Sequence, residues 1–301
     1  MGQDLKINGG LLTAVLAISW ASILVRWCEA TPALVIAFYR MFWSAGLLLL
    51  LHKMRHPGKP LFSQIGRGNL LLVFLAGIFL ALHFVSWIAS VQFTLISHAL
   101  VLSSTHPVWA LLLSPFILKE KGGWKAVTAA VLVMSGILLL VGQDWQAGEA
   151  QLQGDLLALL AALFITFYLL IARQQRGGAD LLPYLIIVYG TASLLLLPVI
   201  LISGFSLFDY PAQSMFSMLL LAVVPTGIGH SLLNWAARRL EVYKVNFAAL
   251  GEPLFASLLG FFIFGEVPYG YFYPAAALIL LGIGLALLDA GGTPKPKARG
   301  E

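Results

Sequence analysis

The sequence is poor in cysteine and in charged side chains. Cys28 is its single cysteine, so the chain cannot form an internal disulfide, and redox chemistry is not expected. Charged residues make up 10% of the 301 residues, against about a quarter in an ordinary soluble domain. No lysine is followed by serine or threonine, as a P-loop requires, and the patterns of zinc sites and serine-hydrolase elbows are missing too. We therefore predict no catalytic residue, no metal site and no cofactor, and expect that the protein is not an enzyme.

Apolar residues dominate instead, at 60% of the chain with a mean hydropathy of +0.91. A helix needs about 20 mainly apolar residues to cross a bilayer. The sequence has ten such runs: Leu11 to Trp27, Pro32 to Leu51, Leu70 to Val91, Leu95 to Leu118, Trp124 to Val141, Leu156 to Ala172, Leu182 to Ser203, Met215 to Ala237, Val245 to Phe264 and Tyr269 to Leu288. Because apolarity is continuous within each run, helices are favoured over the alternating strands of a barrel. We predict an all-α integral membrane protein with ten transmembrane helices.

The basic residues are distributed unevenly between the predicted loops. All 18 Lys and Arg residues except Arg26 and Arg40 fall in the tails or in loops on the same side as the N-terminus. By the positive-inside rule, both termini then lie in the cytoplasm. This distribution explains the net charge of +5 without a nucleic-acid partner. The expected partners are the lipid bilayer and a small solute, and the number of subunits is left open, with a monomer allowed.

A short motif occurs twice in the chain. A proline and a glutamate thirteen residues later occur at Pro107 and Glu120 and again, 146 residues on, at Pro253 and Glu266. The alignment around them continues over residues 99–140 without a gap. Each copy then holds five predicted spans, and because five is odd, the second copy enters the membrane from the opposite side. The predicted fold is two inverted-topology five-helix repeats.

The duplication divides the chain into four predicted parts. Residues 1–143 form the first five-helix repeat, and residues 154–290 form the second. The polar, acidic residues 144–153 form a periplasmic linker between them. Residues 291–301, which are rich in Gly, Pro and Lys, form a disordered cytoplasmic tail.

The repeated motif resembles that of the drug/metabolite transporter superfamily. Segments 105–120 and 251–266 carry the resemblance to proteins built from two EamA-type five-helix units, and among these to the bacterial aromatic amino-acid exporters. The resemblance implies a secondary transporter of the bacterial inner membrane. Such a protein exports amino acids with aromatic and other neutral or apolar side chains by alternating access. The alternative is a drug, nucleotide-sugar or sugar-phosphate carrier of the same superfamily.

Polar and aromatic residues inside the spans are candidates for the substrate site. An ionisable group at a helix centre costs about 2.5 to 3.5 kcal/mol on insertion scales, so it usually faces a cavity or a partner. A zwitterionic amino acid needs a cation for its carboxylate and an anion for its ammonium group. The predicted substrate-binding residues are Arg40, His83, Trp87, Thr105, Trp109, Asn234, Trp235 and Glu252. The alternatives are that Arg40 and Glu252 form a structural ion pair, and that the tryptophans serve helix packing or the interfacial belt.

Two further predictions concern how transport is driven. His106 and Glu252 are candidates for proton coupling, since histidine titrates near physiological pH, while passive downhill flow is the alternative. Pro107 and Pro253 occupy equivalent repeat positions and each lacks a backbone donor, so they are candidate hinges. An intramembrane enzyme is a remote alternative: Ser103, Ser104, Thr105 and His106 supply a nucleophile and a base, but successive helix positions point in different directions.

Overall fold

The structure is a computed structural model that describes residues 2–28, 31–62, 65, 69–93, 102–141, 149–177, 180–265 and 272–289. Helices account for nearly all of this part. They are α1 Gly2–Ile18, α2 Trp20–Arg26, α3 Ala33–Arg55, α4 Leu70–Phe93, α5 His106–Ile117, α6 Trp124–Val141, α7 Glu149–Gln174, α8 Leu181–Ile202, α9 Ala212–Leu221, α10 Ser231–Ala237, α11 Val242–Ala249, α12 Gly251–Phe264 and α13 Phe272–Leu287. A π-helical segment, Ala222–His230, joins α9 to α10. The predicted tail, the first half of the predicted linker and Glu266 lie outside the described residues.

The helices agree with the apolar runs of the sequence. Seven helical segments are long and apolar enough to cross a membrane, and three shorter apolar helices, His106–Ile117, Trp124–Leu139 and Tyr273–Leu287, fall in the remaining predicted runs. Large apolar side chains are left on the outside, such as Phe116 at 85% and Ile202 at 86% exposure, where lipid covers them. The prediction of an all-α membrane protein is confirmed. The count of ten crossings stays a prediction.

Helices α6 and α13 occupy equivalent positions in the two repeats, and they contact each other reciprocally, as a two-fold axis between the repeats requires. A Cβ atom added to Gly136 of α6 would lie 2.9 Å from Ile279 of α13, and one added to Gly282 of α13 would lie 2.5 Å from Val133 of α6. Gly282 and Ile279 stand 146 residues after Gly136 and Val133. The contact of Gly282 with Val133 is therefore the repeat equivalent of the contact of Gly136 with Ile279. As residue numbers rise along α6, the contacted residues fall along α13, so these equivalent helices are antiparallel. The predicted inversion of the repeats is confirmed.

Other contacts between the halves follow the same exchange, and helix α3 packs against its equivalent α8. Helix α5 also packs against α11, whose equivalent in the first repeat falls largely outside the described residues. Helix α4 of the first repeat packs along α7 of the second, and the π-helical segment with α10 packs along α1 in return. Gly229 makes the second of these approaches possible, because a Cβ atom there would lie 2.6 Å from Ile18.

Several helices are interrupted halfway along the bundle. Helix α1 ends before Ser19 and α2 begins after it, and α5 begins after a turn at Ser104 and Thr105. The turn at Leu250 separates α11 from α12 and stands 146 residues after Ser104. In lipid, irregular backbone is tolerated where it is covered by protein or lines a cavity. The breaks therefore indicate where a polar interior lies.

Hydrogen bonds and an ion pair join the halves at the end of the molecule that carries the basic loops, which we call the basic end. Arg173, in the last turn of α7, donates from Nε to Glu120 Oε1 at 2.8 Å, and its Nη2 lies 2.7 Å from the same oxygen. Both side chains are buried. The carboxylate of Asp289, which follows α13, accepts hydrogen bonds from the Gly123 backbone N–H at 2.8 Å and the Tyr243 hydroxyl at 2.9 Å. Glu120 and Gly123 belong to the first repeat and their partners to the second.

Candidate functional site

A cavity of about 90 Å³ lies between the two repeats near the helix breaks. Its walls come from both halves, in part from the broken segments. The lining residues are Ile18, Ala21, Arg40, His83, Phe84, Trp87, Ser103, Ser104, His106, Ile165, Leu169, His230, Leu233, Asn246, Ala249, Glu252 and Pro253. A buried water needs about 10 to 15 Å³ by this kind of measure, so the cavity has room for several waters. It combines one basic and one acidic side chain with aromatic and aliphatic ones.

Arg40 supplies the positive charge of the cavity. The residue is 2% exposed, and its Nε donates a hydrogen bond to Thr226 Oγ1 at 2.6 Å. Its guanidinium carbon lies 4.1 Å from the centre of the Phe84 ring, a cation–π distance. Thr226 belongs to the π-helical segment and Phe84 to α4, so three helices hold one guanidinium. The two terminal nitrogens make no hydrogen bond to any described side chain.

Glu252 supplies the negative charge from the first turn of α12. A carboxylate in this position is stabilised by the positive end of the helix dipole. Within the described part of the chain, no side chain donates a hydrogen bond to the Glu252 carboxylate, and no ion pair within 4.0 Å joins it to Arg40. The cavity thus presents both charges without direct mutual neutralisation. This arrangement differs from the structural ion pair that was the alternative interpretation of the sequence.

Three histidines line the cavity as well. His83 Nδ1 lies 2.9 Å from the Ala161 carbonyl, which fixes the proton on Nδ1 and leaves Nε2 as the acceptor of the neutral ring. The buried Nδ1 atom of His230 has no hydrogen-bond partner among the described residues, whereas the side chains of His106 and Asn246 lie next to each other. Buried polar atoms are almost always paired, so His230 Nδ1 is a candidate for contact with water or a ligand.

Two helices begin at the cavity, at equivalent positions of the repeats. Thr105 and Leu250 precede α5 and α12, and neither N-terminus has a side-chain cap. Pro107 and Pro253 each lie in the first turn of their helix. The N–H groups of a first turn have no acceptor within the helix, so the N–H that proline lacks costs no helical hydrogen bond. The two helix starts differ in charge, because α5 carries His106 where α12 carries Glu252. The hinge role of the prolines stays a prediction.

Of the nine residues predicted for substrate binding or proton coupling, the structure brings five together at the cavity and places four elsewhere, and the predicted hinge residue Pro253 also lines the cavity. Arg40, His83, Trp87, His106 and Glu252 line the cavity. Four predicted substrate-binding residues do not line it: Thr105, Trp109, Asn234 and Trp235. Their binding roles and the proton-coupling roles of His106 and Glu252 stay predictions.

The four residues outside the lining have other environments. The Thr105 hydroxyl donates to the Leu102 carbonyl at 2.7 Å. The Asn234 amide donates to the Tyr168 hydroxyl and to the His230 carbonyl, so it is occupied in joining α10 to α7. Trp235 packs on Gly10, and the Arg239 guanidinium stacks 4.3 Å from its ring centre. The indole N–H of Trp109 is buried and finds no acceptor in the described part.

Sequence reasoning missed several residues of the site. Phe84 reads as one more apolar residue of α4, and nothing in the sequence predicts that it stacks on Arg40. Asn246, at 1% exposure, is a polar residue within an apolar run, which is the signal that singles out other candidates and could have found it. The described residues contain no group of three His, Cys, Asp or Glu side chains that could hold a metal ion.

Comparison with known proteins places this architecture in a transporter family. The family model described as "EamA-like transporter family" matches the chain twice, over residues 7–142 and 152–288. The chain is 27% identical over 279 residues to an "Uncharacterized transporter" of Archaeoglobus fulgidus, covering 92% of this chain and 94% of the relative. It is 26% identical over 272 residues to "Uncharacterized transporter YojE" of Bacillus subtilis, covering 86% of each chain.

A solved structure titled "Crystal structure of protein" superposes with a TM-score of 0.80. The superposition covers 94% of this chain and 96% of that chain at 16% sequence identity, so it shows a shared fold.

Proposed function

Since this chain belongs to the EamA-like transporter family and is a multi-pass membrane protein with two EamA repeats, we propose that it exports amino acids. The preferred substrates have aromatic and other neutral or apolar side chains. Transport proceeds by alternating access across a bacterial inner membrane, with both termini in the cytoplasm. One small-molecule substrate and the lipid bilayer are the partners that this function requires.

One observation carries the proposal: Arg40 and Glu252 line the same cavity and do not pair directly. A zwitterionic amino acid carries one charge of each sign a few ångströms apart. Its carboxylate can bind Arg40, and its ammonium group can bind Glu252, so binding replaces the water that solvates both ions. Keeping two unpaired charges inside a membrane is costly, and a ligand that neutralises both offsets that cost.

The apolar part of the lining suits the substrate's side chain. Trp87, Phe84, Ile165, Leu169 and Leu233 give aromatic and aliphatic surface beside the charged pair. An aromatic side chain gains from such surface by burial and by ring contacts. A cavity of about 90 Å³ is small for such a substrate, so the halves separate when it enters.

The rocking motion has a structural starting point. The cross-repeat contacts of Glu120 and Asp289 close the basic end, which is the cytoplasmic end under the positive-inside rule. Release of these contacts on the cytoplasmic side lets substrate enter, and their closure precedes release to the outside. His106 and Glu252 line the path, so either can carry a proton in exchange. Identical transport rates with and without an imposed pH gradient would exclude obligatory proton coupling.

Two rival functions fit the lining less well. A sugar phosphate or nucleotide sugar favours two or more convergent cations, whereas Arg40 is the one Arg or Lys in the described lining. An intramembrane enzyme finds Ser103 and His106 in the same cavity, but the Nδ1 atom of His106 hydrogen-bonds to no serine hydroxyl in the described part, so this nitrogen activates no serine there. The family and its relatives are named as transporters.

A thermal-shift screen of the purified protein tests the proposal. Ligands that bind the folded state raise the melting temperature. We expect phenylalanine, tryptophan and leucine to raise it, and glucose 6-phosphate to leave it unchanged. The Arg40→Gln variant, checked for folding by size-exclusion chromatography, should lose the shift. Stabilisation by sugar phosphates or antimicrobials, with none by any amino acid, would contradict the proposal.

A further inference from the structure

We infer that Thr226 is a positioning residue that orients the Arg40 guanidinium toward the substrate carboxylate. The inference rests on the proposed function and identifies how the cavity distinguishes a carboxylate-bearing substrate from one without it. Thr226 does not line the cavity, so its contribution acts through Arg40.

Thr226 occupies the Nε edge of the Arg40 guanidinium. Its hydroxyl oxygen accepts from Arg40 Nε at 2.6 Å, a short distance that suits a hydrogen bond from a charged donor. An arginine binds a carboxylate best through two parallel N–H bonds, and its donors form a planar fork. With Nε held by Thr226, the fork left for a ligand is the one formed by Nη1 and Nη2, and Arg40 lines the cavity.

Phe84 fixes the plane of the Arg40 guanidinium. The Phe84 ring covers one face at 4.1 Å from the guanidinium carbon. Phe84 is itself 2% exposed, and its ring meets the edge of His230 at a centroid distance of 5.3 Å, so it has little freedom to move. One bond to Nε and one stacked face together restrict rotation about the last side-chain torsions. A preorganised arginine loses less entropy when the carboxylate binds.

The π-helical segment sets the position of the Thr226 hydroxyl beside Arg40. Segment Ala222–His230 contains Pro225, and its wide i→i+5 turns differ from those of the flanking α-helices. Thr226 is fully buried, and its carbonyl accepts from the hydroxyls of Tyr189 and Ser231, each at 3.4 Å. Two hydroxyls therefore anchor the backbone carbonyl of the residue that carries this side chain. Short π-helical segments occur frequently at functional sites.

Ser44 provides a matched control for a merely structural role. Its hydroxyl lies 2.9 Å from the Ala222 carbonyl, so like Thr226 it joins α3 to the π-helical segment through one buried hydroxyl. It also lies 2.6 Å from the backbone carbonyl of Arg40, but it makes no contact with the guanidinium. Loss of the Ser44 hydroxyl removes a tie between the same two helices and leaves the orientation of the arginine fork unchanged.

The experiment compares two ligands and three variants. Phenylalanine carries a carboxylate, whereas phenylalaninamide keeps the ring and the ammonium group without the negative charge. Dissociation constants for both are measured by isothermal titration of purified wild type, Thr226→Val, Thr226→Ser and Ser44→Ala, with folding checked by melting temperature. We expect Thr226→Val to bind phenylalanine about 10-fold more weakly, as for loss of a hydrogen bond that serves a charged group, and to bind the amide as the wild type does. Thr226→Ser restores the wild-type constants, and Ser44→Ala keeps the ratio of the two constants while its melting temperature falls.

The possible outcomes separate this inference from the proposed function. Wild-type affinity for phenylalanine in Thr226→Val, or an equal loss for both ligands, would overturn the positioning role and leave amino-acid export intact. A changed ratio in Ser44→Ala would also overturn it, since the effect would then follow any loss of contact between the two helices. No binding of any amino acid by the wild type would overturn the proposed function and this inference together.

Discussion

Charged side chains within and beside the bundle fall into two kinds. Glu120 Oε1 and Arg173 Nη2 lie 2.7 Å apart at the basic end, while Glu120 Oε2 has no hydrogen-bond partner among the described residues, and removing Arg173 would leave the buried carboxylate without its close partner. Arg40 and Glu252 share a cavity without pairing directly, and Arg40 instead has a neutral hydroxyl and an aromatic ring as neighbours. The first kind stabilises one arrangement of the halves, and the second leaves charge available for a ligand.

The Glu120 carboxylate permits a matched comparison of two arginines. Arg173 Nη2 lies 2.7 Å from Oε1 with the side chain 5% exposed, and Arg176 Nη1 lies 3.8 Å from the same oxygen with the side chain 59% exposed. We predict that Arg173→Ala lowers the free energy of unfolding by about 3 to 5 kcal/mol, because it leaves a buried carboxylate unpaired. Arg176→Ala should cost less than about 1 kcal/mol, as for an exposed pair.

Chemical unfolding of both variants in the same detergent measures the difference. Equal losses for the two arginines would show that burial of the Arg173 pair contributes nothing beyond its charge. If Arg173→Ala lowered the free energy of unfolding by less than about 1 kcal/mol, this ion pair would not stabilise one arrangement of the two halves.

At the scale of single elements, small residues and breaks decide how the helices approach. Gly136 and Gly282 let α6 and α13 meet closely enough that a Cβ atom on either glycine would overlap a neighbour. The turn at Leu250 places the first residues of α12 at the cavity, within the helical segment Val242–Phe264 that is long enough to cross the membrane. Proline in the first turn is compatible with such a start, since the missing donor would have no partner in any case.

Two glycines of α13 differ in their surroundings and give a direct test of this packing. A Cβ atom on Gly282 would lie 2.5 Å from Val133 and 3.0 Å from the Ala129 carbonyl, whereas one on Gly284 would meet no described atom within 4 Å. We predict that Gly282→Ala destabilises the protein by about 1 to 3 kcal/mol through overpacking. Gly284→Ala should be neutral or more stable by up to about 1 kcal/mol, because alanine favours the helix.

Thermal unfolding of the two variants beside the wild type provides the readout. A Gly282→Ala protein as stable as wild type would mean that α6 and α13 do not meet as described. Destabilisation by Gly284→Ala of the same size would point to a general intolerance of this helix and not to a specific contact.

At the scale of the whole molecule, two repeats of opposite orientation enclose a cavity that neither could form alone. Arg40, His83 and Trp87 come from the first repeat, and Glu252 and Asn246 come from the second. The same two-fold relation that pairs α6 with α13 brings the starts of α5 and α12 to this cavity. A change in the angle between the repeats therefore alters the contacts at both ends of the site at once.

Much of this architecture could be predicted from the sequence because it depends on the length of the apolar runs and on how many of them each repeat contains. Continuous apolar runs predict helices in lipid, and an odd number of spans per copy predicts inversion. Arg40 and Glu252 could be identified because charge inside an apolar run is rare and costly.

The facing of individual side chains could not be predicted in the same way. The spacing of four places Asn234 one turn after His230, and its amide does donate to the His230 carbonyl, but it also donates to the Tyr168 hydroxyl of α7 and does not line the cavity. Trp87 and Trp235 occupy similar positions in the two repeats. Trp235 stacks under Arg239, whereas Trp87 lines the cavity. Equivalent residues of a duplication share a position in the fold and need not share neighbours, because the opposing helices differ.

Counterflow into liposomes tests the central claim most directly, namely that this inter-repeat cavity carries amino acids across the membrane through Arg40 and Glu252. Liposomes containing the purified protein are loaded with unlabelled phenylalanine and diluted into labelled phenylalanine at low concentration. The account predicts transient accumulation of label with the wild type, and at least 10-fold slower accumulation with folded Arg40→Gln and Glu252→Gln variants, as for loss of a charged contact. Accumulation no greater than in protein-free liposomes, or wild-type rates in both variants, would contradict it.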